Sequence, residues 1–163
     1  MTGEGFSLTA IYIDADACPV RDEVYRVAGR LGLQVFVVGN FPRPIRPPGL
    51  PNVELVMVGD AFDAADDWIA EHIAPGDVCI TSDIPLASRA LKEGGRVVAP
   101  NGHVWTAANI GSALAGRELS RHLRELGVAT RGPAALTKAD RSRFLGALDG
   151  EVQKALREAT ASG

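Results

Sequence analysis

The stretch Ile11-Tyr12-Ile13-Asp14-Ala15-Asp16-Ala17-Cys18-Pro19 decides how the rest of the chain is read. A largely apolar run over residues 8–13 stops at two aspartates one residue apart; a cysteine, a proline and a helical pattern follow. Such a run fits a strand buried on both faces, and residues two apart in an extended chain point to the same side. Asp14 and Asp16 can therefore aim two carboxylates at one point past the strand's carboxyl end. Open parallel α/β sheets gather their ligand and catalytic groups there. Two like charges so close repel, and a cation, a shared proton or open water relieves them. A donor set made only of oxygen suits Mg²⁺ or Mn²⁺ better than zinc. The plainer alternative has one aspartate capping the next helix and the other solvated.

Outward from this stretch, helical and extended patterns alternate. Val20, Val24, Val27, Ala28 and Leu31 recur at helical spacing until Gly32. Residues 34–38 read as a second strand, turned by Gly39-Asn40. A proline-rich loop over 41–52, carrying Arg43 and Arg46, leads to a third strand at 53–58. Residues 61–73 then read as a helix, with Phe62, Ala65, Ile69 and Ile73 on one face and Asp63, Asp66 and Asp67 on the other. Residues 78–81 form a short apolar strand ending in Ser82-Asp83. A helix at 85–92 stops at Gly94-Gly95, and a fifth strand spans 96–99. This alternation predicts βαβ units and a mainly parallel five-stranded sheet. Past Pro100-Asn101-Gly102 the pattern turns helical, over 106–126 and again from Thr137, where Asp140 completes a near capping box. The reading is one domain over 1–163, with an α/β core at 8–100 and an appended helical extension at 101–157.

The totals narrow the function classes. With 46% hydrophobic and 23% charged residues in 163, the composition is that of an ordinary globular protein. Two cysteines, Cys18 and Cys79, make neither a disulfide framework nor a metal-ligand spacing. No apolar stretch approaches membrane-spanning length and no secretory leader is visible, so the expected setting is the cytoplasm, with no membrane partner. Charge is uneven: residues 1–100 carry 8 basic against 14 acidic side chains, and the remainder 9 against 6. An acidic front and basic back suit an anionic ligand held against a metal, and equally an amphipathic solvated surface.

Asp83 ends the fourth strand as Asp14 ends the first. If those strands are neighbours, both acids reach the crevice where strand order reverses. The expected set is then Asp14, Asp16 and Asp83 as catalytic metal ligands, joined by Asp63 or Asp66, around Mg²⁺ or Mn²⁺. Asp67 reads as solvated. Thr81 and Ser82 offer hydroxyls to phosphate or water; Asn40, Arg43 and Arg141 are further candidates for contact with substrate.

Three segments carry a family resemblance: Asp14 to Pro19, the stretch Phe62-Asp63-Ala64-Ala65-Asp66, and Gly76-Asp77-Val78-Cys79-Ile80-Thr81-Ser82-Asp83-Ile84-Pro85-Leu86-Ala87. With Gly132-Pro133, Asp140-Arg141 and Phe144, they resemble the YaiI/YqxD family of uncharacterised bacterial proteins over roughly residues 8–150. That family is in turn similar to PIN-like nucleases. The resemblance implies a PIN-like three-layer α/β sandwich, acidic residues that bind Mg²⁺ or Mn²⁺, and RNA as partner and substrate. Carried over by position, the metal site is Asp14, Asp16, Asp83, Asp63 and Asp66. The chain departs from the family pattern at Arg131, before Gly132, and at Asn101-Gly102-His103.

Rival readings stay open on the residues alone. A haloacid-dehalogenase-like phosphatase also starts from a strand ending in Asp-x-Asp, yet its Thr/Ser motif should precede the late acidic motif, and Thr81-Ser82 follows Asp60 and Asp63. A cysteine enzyme would use Cys18 at a helix start, but a phosphatase loop wants an arginine where Val24 stands. A non-catalytic nucleic-acid-binding or adaptor module would keep the fold and use the C-terminal arginines for phosphate. Among the histidines, His103 in its turn is the one to test. Trp68 and Trp105 read as core anchors.

Overall fold

β1 (Ala10–Asp14) is the hub of the sheet, with β2 (Gln34–Asn40) on one side and β4 (Val78–Ile80) on the other, all parallel. In this computed structural model the described residues are 9–15, 18–40, 46–61, 63–127 and 135–162; of residues 120, 121, 123–125, 161 and 162 only the helical backbone is described. β3 (Val53–Val58) lies beyond β2, and β5 (Arg96–Val98) and β6 (Val104–Trp105) lie beyond β4, giving the order β3-β2-β1-β4-β5-β6. β1 to β5 are parallel and β6 is antiparallel to β5. The sheet thus has six strands, one more than the sequence pattern predicts. The extra strand has two residues, too few to show an alternation.

Period-two burial sorts the side chains of the central strands into two cores. On one face Ile11, Ile13, Val35, Val37, Val78, Ile80 and Val98 meet α1 (Arg21–Leu31) and α5 (Lys138–Ser162). On the other, Tyr12, Val38, Cys79 and Val97 meet α2 (Ala64–His72), α3 (Ile84–Lys92) and the start of α4 (Ile110–Glu125). Helices therefore cover both faces of a mostly parallel α/β sheet. α1 ends where expected: Gly32, at φ 68, donates its N–H to the Ala28 carbonyl. Pro19 and Val20 form a turn ahead of α1 rather than its first turn. Trp68 packs with Tyr12 and Phe36, their ring centroids 5.2 to 6.0 Å apart.

α5, the helix of the C-terminal region, packs into the core. Phe144, Leu148, Val152 and Ala155 are fully buried in the core beside α1. Thr137 and Asp140 exchange capping hydrogen bonds at its start, at 2.9 and 3.0 Å. Further along, the Arg96 guanidinium on β5 grips both carboxylate oxygens of Glu158, each at 2.9 Å, and Glu151 at 3.0 Å. Gly76 lies so close that a Cβ there would meet the Ala159 Cβ at 2.9 Å. Among the described residues no helix is long and apolar enough to cross a membrane.

If α5 is half of a core layer, truncating its buried ring destabilises the whole domain. Phe144→Ala is expected to cost about 3–5 kcal/mol in urea unfolding. Leu119→Ala, on the exposed side of α4, should change stability by no more than about 0.5 kcal/mol.

Candidate functional site

Strand register assembles the acids. Ile13 pairs with Ile80, which sets Asp14 opposite Thr81 at the carboxyl ends of β1 and β4. Both residues are buried, and the Thr81 hydroxyl donates to Asp14 Oδ2 at 3.0 Å. The same hydroxyl oxygen accepts the backbone N–H of Asp83 at 2.9 Å. Asp83 is the N-cap of α3, its Oδ1 accepting the Leu86 N–H at 3.1 Å, with Pro85 inside the first turn. Thr81, expected to touch substrate, is thus turned inward as a clamp between two of the acids.

α2 brings the next acids. Asp63 stands at the N-cap position of α2 but makes no capping bond with its side chain. Asn40, from the end of β2, caps that helix instead: its Oδ1 accepts the Ala65 N–H at 3.1 Å. This bond fixes the start of α2 beside the ends of β1 and β2 and brings Asp66 toward the crevice. Asp66 has its carboxyl pushed up to about 7, first by desolvation, then by the charges of Asp83 and Asp14, with Asp63 adding a smaller push. Arg89 on α3 pulls the other way. Its guanidinium pairs with Asp67 at 2.8 Å across α2 and α3, so Asp67 is engaged rather than simply solvated.

The charges of Asp14, Asp63 and Asp83 all act on the Asp66 carboxyl. Asp16 and Arg43 lie outside the described residues. Among the described residues, no three His, Cys, Asp or Glu side chains stand close enough to grip one metal ion together. The described acids offer oxygen donors only, the kind that Mg²⁺ or Mn²⁺ takes as one or two carboxylates beside several waters. Arg141 stands apart, donating to Glu23 at 3.1 Å and tying α5 to α1. Cys18 is buried, and that burial pushes its thiol up to about 12 against the pull of the Val20 backbone and Arg21. Burial likewise raises the Cys79 thiol well above its ordinary value. Neither is an activated nucleophile.

Beside the acids opens a cleft of about 930 Å³. Ala15, Cys18 and Pro19 line it from the β1–α1 connection, Ser82 and Ile84 from the start of α3, and residues 99–101, 103 and 105 from the β5–β6 hairpin; Ala135, Leu136 and Asp140 close it from the start of α5. Of these, the sequence singled out Ser82 as a contact and His103 as a residue to test. The apolar walls had no signal, because they come from four separate stretches with no shared period.

The fold and site together define a mostly parallel α/β protein whose acids meet where the strand order reverses, between β1 and β4. The sequence profile of the uncharacterised YaiI/YqxD family matches residues 12–154, and the chain belongs to that family. A UPF0178 protein of Caulobacter vibrioides is 56% identical over 152 residues, covering 93% of this chain and 98% of the relative. A UPF0178 protein of Rhodopseudomonas palustris is 53% identical over 152 residues, at 93% and 96% coverage. Another, from Paramagnetospirillum magneticum, is 55% identical over 150 residues, at 92% and 98%.

The raised Asp66 carboxyl links stability to pH. Its folded-state value, about 7, lies above the ordinary 3.8, so the folded protein binds the proton more tightly than the unfolded chain. Stability from this group is therefore full in acid and is lost as pH rises from the ordinary carboxylate range through about 7. Asp66→Asn is expected to raise stability at pH 8 by on the order of 1 kcal/mol, discounted for a half-buried site. It should also flatten the pH profile of thermal unfolding on the acid side of neutrality.

Proposed function

We propose that this protein is a hydrolase of phosphodiester bonds that works with Mg²⁺ or Mn²⁺ and acts on RNA. The observation that carries the reading is the placement of Asp14 and Asp83 at the ends of β1 and β4 with Asp66 nearby on α2, its carboxyl raised to about 7 by burial first and then by the charges of Asp83 and Asp14. The choice of RNA rests on the resemblance of the acidic motifs to PIN-like nucleases.

Asp14 and Asp83 would be the principal holders of the ion, with Asp16, Asp63 and Asp66 contributing directly or through water. A divalent ion bound there supplies charge to the phosphate oxygens and makes an attached water more acidic. The chain's own residues do the positioning. The Thr81 hydroxyl fixes the Asp14 carboxylate, and the backbone of Asp83 is held by the same oxygen. The Leu86 N–H orients Oδ1 of Asp83. Ser82, exposed between Thr81 and Asp83, offers a hydroxyl to phosphate. Arg89, beside Asp66, limits the negative charge that an anionic substrate would meet.

A second reading is a nucleic-acid-binding module with the same fold and no turnover. The phosphatase reading draws less support: it wants a lysine beside the paired acids, and the cation acting on Asp66 is Arg89.

The test is cleavage of end-labelled RNA, and of DNA of the same sequence, with Mn²⁺ or Mg²⁺ supplied. Wild type is expected to cut RNA only with the metal. Asp83→Asn should lower kcat/KM by about 100-fold or more while α3 stays intact, because asparagine caps a helix as well as aspartate does. RNA binding without cleavage under every metal condition overturns the hydrolase in favour of the binding module. Release of phosphate from a monoester, lost in Asp14→Asn, would put the phosphatase in its place.

A further inference from the structure

The cleft beside the acids has a chemistry of its own. Among the described residues no lysine or arginine lines it. Its one charged lining residue, Asp140, is already engaged by the Thr137 N–H and by Arg143. Such a cleft does not attract phosphate. Its walls are largely apolar, with Pro19, Ile84 and Trp105 among them, so it accommodates an uncharged group.

Specific polar groups converge on the same space. The His103 and Trp105 rings meet edge to face, with centroids 4.2 Å apart at 65°, and form an aromatic corner on the hairpin. The indole N–H of Trp105 is buried and has no acceptor among the described residues. That nitrogen has almost no accessible surface, so it lies beneath the cleft wall, and what the cleft meets is the ring. Asn101 spends its carbonyl oxygen on the His103 N–H, at 3.0 Å, and this fixes the side chain at the cleft rim with its amide group as a further donor.

The cleft is also joined to the acids in the chain itself. Ala15 follows Asp14, and Ser82 lies between Thr81 and Asp83; both line the cleft. A molecule that filled it would touch the chain neighbours of Asp14 and Asp83. Few chemical groups are flat, neutral, rich in hydrogen-bond acceptors and covalently tied to a phosphate.

We propose that this cleft is a nucleobase subsite, formed by the β5–β6 hairpin and the start of α5, which seats one unpaired base with its ribose while the attached phosphate lies at Asp14 and Asp83. The phosphate half of this arrangement rests on the hydrolase reading above; the base half does not. The base stacks on the His103–Trp105 corner, as bases do on aromatic platforms. A base held in a duplex is paired and stacked, and does not enter.

The test uses the whole chain, labelled with ¹⁵N and free of metal, and follows its two indole N–H signals by NMR. Trp105→Phe assigns them. The probes are adenosine and cytidine, which carry a base and no phosphate, and ribose 5-phosphate, which carries a phosphate and no base. Both nucleosides, or one of them, should shift the Trp105 signal saturably in the millimolar range and leave the Trp68 signal in place, whereas ribose 5-phosphate should not. His103→Ala, at an exposed position, should weaken nucleoside binding about tenfold with no change in melting temperature. A Trp105 signal unmoved by either nucleoside, a response to ribose 5-phosphate equal to that of the nucleosides, or undiminished binding in His103→Ala overturns the subsite. Its failure is distinguishable from failure of the hydrolase. Nucleoside binding by a protein that cuts no RNA supports the subsite and removes the hydrolase; RNA cleavage with an unchanged KM in His103→Ala removes the subsite and leaves the hydrolase.

Discussion

The parallel pairing of β1 with β4 is the constraint on which the site depends. Chain order carries β1 to β2 and β3 on one side, then crosses to β4 on the other, so the two strands that meet at the reversal come from stretches more than sixty residues apart. Their register sets Asp14 opposite Thr81. A slip of one residue would turn each side chain of β4 to the opposite face and take Thr81 away from the acid. Several bonds hold the register against such a slip. Asp77, buried at the turn before β4, accepts the Ala10 N–H with one oxygen and the Ala74 N–H with the other, both at 3.0 Å. The start of β1 is thereby tied to the start of β4, and burial holds the carboxyl of this fastener above its ordinary pKa in spite of the two bonds.

The acids at the other end of the strands are in a different state. Asp77 is satisfied by two backbone donors, whereas Asp66 gains charged neighbours of its own sign. A fold optimised for stability alone would replace such a carboxylate or pair it closely. Here the nearby cation, Arg89, makes its closest contact with Asp67. Such repulsion is what a cation would relieve under the proposed function. Asp14, Asp83 and Asp66 are each held on a different element, and the bonds of Thr81, Leu86 and Asn40 fix those elements without neutralising the charge.

Much of this was legible in the residues because it is local. β1 announces itself as an apolar run cut off by acids, the glycine at 32 stops α1 in the left-handed region, and Thr137 with Asp140 spells out a cap. The sequence reading needed the first and fourth strands to be neighbours without deriving it; the strand order makes them so. What could not be read was tertiary. Asn40 caps a helix twenty-five residues away, Thr81 faces inward rather than toward substrate, and β6 is too short to carry a pattern. α5 looked peripheral because charged residues surround its apolar positions in sequence. Phe144, Leu148, Val152 and Ala155 nevertheless fall on one face at spacings of three or four, which suffices to bury them once the sheet supplies a partner.

That helix also joins the core to the cleft. Gly102 turns the β5–β6 hairpin at φ 93, and a Cβ there would lie 2.8 Å from the carbonyl carbon of Arg143. Only a residue without a side chain lets the hairpin lie so close to α5. The contact falls between Asn101 and His103 on the hairpin and beside Phe144 on the helix, a side chain wholly inside the core. The aromatic corner of the cleft is therefore seated on the same layer that stabilises the sheet. Its geometry is inherited from packing rather than from the hairpin, whose two-residue strand is too short to set it alone. A region that reads as an extension in sequence thus places one wall of the cleft while the strand ends place the other, and neither wall has its position without the sheet between them.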